Sequence, residues 1–217
     1  MSNRVGAAFA IAGAGLALAL VFSQYSPAPP NDYTTLEEAL RSVPAPEYGT
    51  PERWRVVAPD ETTPFVQRPY APAWRVPFVK VQPRNEQLMS PEALMVSMAS
   101  SGKATDYRWW LSLWDRQSQA KWARMVERGD LDPDAMRATW EKLYEKGYLL
   151  LTHRMDVEGY TLVSFASDEN IDNLEKPNAP VAMKRAPNGS WWLTLELSQS
   201  PLHGALAGLK VGKVVRD

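Results

Sequence analysis

Apolar and polar positions follow three different patterns along the chain. Residues 5–22 are an unbroken apolar run without a charged side chain. From residue 90, apolar side chains recur every three or four positions, which is typical of helices that bury one face. From residue 148 they alternate with polar side chains, which is typical of half-buried strands. This order predicts an α+β fold, in which three helices pack on a curved antiparallel sheet.

Three helices are predicted in the middle of the chain. The first begins at Ser90, an N-cap followed by a proline and an acidic residue, and it ends at Gly102. The second is a single long helix over about residues 105–128. The third covers residues 133–147, between an Asp-Pro start and a glycine stop.

Two β-hairpins are predicted after these helices. Residues 148–156 pair with residues 160–166 across a Glu-Gly turn. Residues 180–186 pair with residues 190–198 around an Asn-Gly sequence, the strongest short-range hairpin signal.

Proline is concentrated before the first long helix. Twelve of the 18 prolines lie between residues 26 and 83, interleaved with aromatic side chains that a disordered linker would lack. We predict a short helix over residues 32–42 and short edge strands over residues 54–57 and 76–81, where proline is tolerated. The arm is expected to dock its aromatics on its own domain or on a partner. These are Trp54, Phe65, Tyr70, Trp74 and Phe78.

The apolar run at the N-terminus reaches the length of about 18 residues at which a helix can span the hydrocarbon core. Its flanking Arg4 predicts that the N-terminus is inside and the remaining chain outside, in a periplasm. A cleaved signal peptide is the alternative, with Ala17-Leu18-Ala19 as its cleavage site. Small residues at helical spacing predict packing against other membrane helices. They are Gly6, Ala10, Gly13, Ala14 and Ala17.

These patterns divide the chain into four parts. They are a transmembrane anchor (1–25), a proline-rich arm (26–88), an α+β domain (89–200) and a C-terminal tail (201–217). The tail is expected to form a final strand or to have no regular structure.

Composition narrows the chemistry that the chain can carry. The net charge of −1 shows no basic excess, so nucleic acid is not a predicted partner. The chain has no cysteine and two histidines, which gives no metal-ligand spacing. We predict no metal site, no cofactor and no catalytic residue, because no phosphate loop, nucleophile elbow or carboxylate pair is present.

One family resemblance rests on Ser90-Pro91-Glu92-Ala93-Leu94 and on Asp106-Tyr107 opening a long helix with Leu111-Ser112-Leu113-Trp114. Over about residues 90–198 this pattern resembles the nuclear transport factor 2-like superfamily, the SnoaL-like or cone folds. The resemblance implies a cone-shaped pocket between the long helix and the sheet. Some members are isomerases or dehydratases. Together with the anchor, the pattern is also similar to inner-membrane scaffold proteins of type IV secretion systems.

The pocket implied by this resemblance would be lined by Tyr107, Trp110, Trp114 and His153. Alternation along residues 148–156 places His153 on the same inward face as Leu149, Leu151 and Met155. Two other tryptophans, Trp109 and Trp192, fall outside the predicted buried faces. Exposed aromatics are common at protein interfaces, so these two are predicted to contact a partner.

The sequence therefore predicts a non-enzymatic, single-pass inner-membrane subunit of a cell-envelope complex. Its arm and aromatic surface would bind a membrane protein complex or a second copy of the chain. One alternative is a small-ligand-binding or enzymatic cone-fold domain, and another is a secretion-system scaffold.

Overall fold

The computed structural model describes residues 32–144, 147–166 and 179–217. They form an α+β fold, in which six α-helices pack against a curved antiparallel sheet. The predicted anchor, with its small residues Gly6, Ala10, Gly13, Ala14 and Ala17, lies outside the described residues. Within the described ranges, no helix has the length and apolar character needed to cross a membrane.

The helices are α1 (Leu36–Ser42), α2 (Pro91–Lys103), α3 (Tyr107–Ser112), α4 (Arg116–Glu127), α5 (Pro133–Leu143) and α6 (Pro201–Leu206). The strands are β1 (Asp32–Tyr33), β2 (Glu52–Val57), β3 (Thr62–Arg75), β4 (Phe78–Val79), β5 (Leu150–Val157), β6 (Tyr160–Ala166), β7 (Val181–Arg185), β8 (Trp191–Leu193) and β9 (Lys213–Arg216). Seven of them form one sheet in the order β8-β7-β6-β5-β3-β2-β9, and β1 pairs with β4 in parallel.

The proline-rich arm is part of the main sheet. Strands form at both predicted places, as β2 and β4, but β2 lies inside the main sheet between β3 and β9 instead of at its edge. Strand β3, which lies between β2 and β5, was not predicted. Beyond Pro69 the pairing with β5 shifts register up to Trp74. There β3 bonds to the preceding loop instead, where the Gly49 amide donates to the Pro69 carbonyl at 2.9 Å. A β-bulge and a loop partner let a proline-containing strand lie inside a sheet.

Helix α2 is the centre of the fold. Its first twelve residues are all buried, including four with polar side chains. Its polar side chains are paired: the Glu92 carboxylate accepts bonds from Tyr48 (2.6 Å) and Tyr70 (2.7 Å), and Ser97 accepts one from the Trp109 indole (2.9 Å). These bonds compensate the burial of the polar groups and fix the helix against the neighbouring segments.

The single long helix predicted over residues 105–128 is wrong, because the chain breaks into α3 and α4. At the break, the Asp115 amide donates to the Leu193 carbonyl at 2.8 Å, and the Leu193 amide donates to Leu113 at 2.9 Å. The Asp115 side chain then accepts a bond from the Ser118 amide and starts α4 as its N-cap. Pairing with β8 therefore replaces a helical turn.

The two predicted hairpins are present, as β5–β6 and β7–β8. A register shift between Leu151 and His153 interrupts the strict alternation along β5. Leu151 belongs to the large cluster against the helices, whereas Met155 belongs to the cluster on the other side of the sheet. The predicted common face of Leu149, Leu151, His153 and Met155 is therefore wrong, because a bulge reverses the faces.

The C-terminal tail forms a helix and a strand, of which only the strand was among the expectations. Residues 201–206 form α6, and β9 pairs with β2 in the main sheet. The expected final strand is thus present over four residues, after an unexpected helix.

Candidate ligand-binding site

Four tryptophans, Trp110, Trp114, Trp122 and Trp140, come together between the helices and the sheet; we call them the tryptophan cluster. The Trp110 ring centroid lies 5.2 Å from that of Trp114, 5.1 Å from that of Trp122 and 5.6 Å from that of Trp140. Most of these pairs meet edge to face, the geometry that the ring quadrupoles favour. Rigid aromatic side chains thus build one wall without filling the space beside it.

A cavity of about 260 Å³ lies against this wall. Its aromatic lining consists of Trp110, Trp114, Trp140, Tyr144 and Phe165. Its aliphatic lining includes Met98, Leu143, Val181 and Leu195. Thr194, Ser198 and His203 supply polar side chains. An apolar cavity with a few polar groups is the usual form of a small-molecule site.

Asp115 lies at the α3–α4 break, directly after Trp114, and bonds to the neighbouring elements. Burial favours the neutral acid, but bonds from Thr194 and Ser118 and the charge of Lys184 outweigh it, so the pKa of Asp115 is lowered. The Lys184 ammonium lies 3.4 Å from the Asp115 carboxylate. The ionised carboxylate thereby ties α4 to β7 and to the segment that follows β8.

Gly102 leaves room for one aromatic wall of the cavity. A Cβ atom at this position would lie 2.5 Å from Cε2 of the Tyr144 ring, far inside contact distance. The lack of a side chain at the end of α2 therefore allows Tyr144 to lie against the helix and line the cavity.

The polar groups of the cavity already have partners in the protein. Thr194 accepts a bond from the Glu196 amide at 3.2 Å, and Ser198 accepts one from the Lys121 ammonium at 3.2 Å. His203 Nε2 donates to the Pro180 carbonyl at 3.1 Å. These groups shape one end of the cavity, and the remaining lining is mostly apolar.

Of the pocket residues predicted from the sequence, Trp110 and Trp114 line the cavity. Tyr107 stacks on Trp110 at 5.7 Å and supports it from behind. The prediction that His153 lines the pocket is wrong, because the bulge in β5 places it on the Met155 side of the sheet. Burial lowers the pKa of His153, and the negative charge of Glu52 opposes that shift.

Most side chains predicted to contact a partner lie in the chain's own core instead. The buried ones are Phe65, Tyr70, Trp74, Phe78 and Trp109. For the four arm residues, docking on the chain's own domain was the other expectation, and their burial explains why the arm belongs to the fold. For Trp109 the predicted partner contact is wrong, because its indole is buried against α2. Trp54 and Trp192 are half-buried, so partner contact at these two residues stays a prediction.

Sequence reasoning missed most of the cavity lining. Trp140 and Tyr144 lie four residues apart in the predicted third helix, but nothing in the sequence indicated that they line one cavity with residues of β6 and β7. His203 lies in α6, which begins with a serine N-cap followed by a proline at Ser200-Pro201. The same Ser-Pro pair predicted the start of α2. That repeated Ser-Pro start was the available signal for this end of the site.

In the described part of the chain, no group of three or more His, Asp or Glu side chains is placed to hold a metal ion. Searches against protein-family profiles, characterised proteins and solved structures return no match for this chain. The resemblance to cone-fold proteins therefore stays a prediction.

Proposed function

We propose that this protein is a binding module that takes a small, mainly apolar or aromatic molecule into the cavity beside the tryptophan cluster. The observation that carries the proposal is a cavity of about 260 Å³ beside the tryptophan cluster. The rings of the cluster contact one another and leave this space open. A partly open, mainly apolar cavity with a few polar groups is the usual form of a small-molecule site.

The size and chemistry of the cavity limit the ligand class. Typical drug-sized sites have volumes of about 300–1,000 Å³, so this cavity suits a molecule at or below the small end of that range. Because Thr194, Ser198 and His203 are already bonded to protein groups, affinity would come mainly from apolar burial and ring contacts.

Isothermal titration calorimetry of the full chain with methyl 2-naphthoate tests the proposal. We expect saturable binding of one molecule per chain, with a negative heat-capacity change from apolar burial. Val181→Phe, which adds volume at the cavity wall, should abolish this binding.

The matched control is Val157→Phe, which places the same change at a half-buried valine against the other cluster. It should leave binding intact. Equal binding by both variants, or no binding by the unmodified protein with this ester or other small neutral aromatics, would reject the cavity as the site.

A second candidate function, assembly into an envelope complex, is favoured by a separate surface. Val57, Leu209, Val211 and Val214 are exposed apolar side chains around the β2–β9 edge of the sheet. Leu209 and Val211 both lie over Gly204, and Val57 is directly paired with β9. Contiguous exposed apolar side chains at a free strand edge are typical of protein contacts.

In this second proposal, residues 5–22 anchor the chain in the inner membrane and the edge surface binds the partner. Mild-detergent extracts should contain the chain in a particle larger than the monomer, and Val211→Lys with Val214→Lys should release it. The control is Leu40→Lys, an exposed apolar position on α1. Recovery of the unmodified chain as a monomer in the soluble fraction would count against this role.

A further inference from the structure

A second depression of about 290 Å³ adjoins the aromatic cavity. The two share Leu195 and Ser198 as lining residues, so these two residues mark the boundary between them. The second depression lies along α4 and also includes Lys121 and Arg124. An aromatic space and a basic groove therefore meet at Ser198.

Lys121 is held at this junction. Its ammonium donates to the Ser198 hydroxyl at 3.2 Å, and the Leu195 amide donates to the Ser118 hydroxyl of α4 at 2.9 Å. These two bonds tie α4 to the segment after β8. They fix a positive charge at the rim of a cavity whose interior is apolar.

Within the described ranges, Lys121 and Arg124 form no ion pair with a carboxylate. The acidic residue in the groove, Glu196, is paired with Lys184 and also accepts a bond from Tyr160. Lys184 is shared with the Asp115 carboxylate, so Lys121 and Arg124 leave the groove with a small positive excess for a ligand.

We infer that the ligand is an amphipathic anion, whose apolar or aromatic body occupies the tryptophan-lined cavity and whose acidic group contacts Lys121 and Arg124. This inference rests on the proposed binding function and specifies its ligand class. A carboxylate or sulfonate next to a ring or a short chain has this chemistry. A charged group at a cavity mouth is stabilised by charge-assisted hydrogen bonds while the apolar part leaves water.

The test compares 2-naphthoate with methyl 2-naphthoate, which share a ring system and differ in the negative charge. Calorimetry with the full chain at low ionic strength should show that the acid binds at least about fivefold more tightly than the ester. That preference should shrink when salt is raised, because the groove is open to solvent.

The variants Lys121→Gln and Arg124→Gln, singly and together, should reduce the ratio of the acid's affinity to the ester's. The control is Arg116→Gln, which removes an exposed cation from the start of the same helix, outside the groove. It should keep the preference.

The outcomes separate the two proposals. Equal affinity for the acid and the ester, or a preference that survives the double variant, overturns the anionic ligand while the binding function stands. If neither the acid nor the ester binds, both the binding function and the anionic ligand are overturned.

Discussion

The two faces of the seven-stranded sheet differ in what covers them and in how completely the space is filled. One face packs against α2 to α5 and carries the larger core cluster, with the tryptophan cluster and its cavity. The other packs against α6 and carries a smaller cluster around Phe65, Met155 and Leu202. Tight packing around α2 and an open aromatic space beside it occur on the same face. The same face therefore holds the most completely buried helix and the cavity in which we propose that the ligand binds.

The largest expected effect is on the free energy of unfolding, when a buried leucine is changed to alanine on each face of the sheet. Leu94→Ala in α2 should lower the free energy of unfolding by about 4 kcal/mol, because neighbours on every side prevent the core from closing the gap. Leu202→Ala in α6 should cost about 2 kcal/mol, since the short helix can shift toward the sheet. Urea unfolding of the full chain measures both. Equal losses would show that the faces do not differ in rigidity.

A smaller effect on the free energy of unfolding is expected when one of two tyrosine–glutamate hydrogen bonds is removed. Tyr70 donates to the buried Glu92 at 2.7 Å, whereas Tyr160 donates to Glu196 near solvent at 2.7 Å. Tyr70→Phe should cost about 2 kcal/mol, because it leaves a buried carboxylate with one donor fewer. Tyr160→Phe should cost less than about 0.5 kcal/mol, because water replaces the lost donor. A larger loss for Tyr160→Phe than for Tyr70→Phe would contradict the assignment of the buried network.

The smallest expected effect is the pH dependence of stability that His153 causes on the sheet face without the cavity. Burial lowers the pKa of His153 below its ordinary value of 6.5, against the opposing charge of Glu52. The unfolded chain therefore binds a proton more readily than the folded chain, so stability is complete above pH 6.5 and falls as pH drops toward the folded pKa. His153→Gln should flatten this part of the curve of unfolding free energy against pH. An unchanged slope would show that other groups cause it.

The sequence predicted the elements whose signals are local. The Ser-Pro start of α2, the Asp-Pro start of α5 and both hairpins appear where propensity and capping place them. Failures occur where a distant segment competes with a local pattern. Trp114 and Asp115 leave the predicted long helix because Leu193 offers them strand pairing. Tertiary contacts override helix propensity at that point.

The candidate site was predicted only in part for the same reason. Trp110 lies in α3, where helical spacing predicts its inward direction, whereas Trp114 is positioned by its pairing with Leu193. The position of His153 depended on a one-residue bulge in β5, which reverses every later side chain. The proline-rich arm suggested a linker, yet Tyr70 and Trp74 find their partners in α2 and in the Pro44 carbonyl. No local pattern encodes such pairings.

The most direct test of the central claim is to follow the indole N–H signals of the nine tryptophans by ¹⁵N NMR during titration with methyl 2-naphthoate. Three of these side chains, Trp110, Trp114 and Trp140, line the cavity, and their signals should shift in a saturable way. Trp54, which packs against the opposite cluster, should not respond. Saturable shifts confined to Trp54, or none at the three cavity tryptophans, would contradict the assignment of this cavity as the binding site.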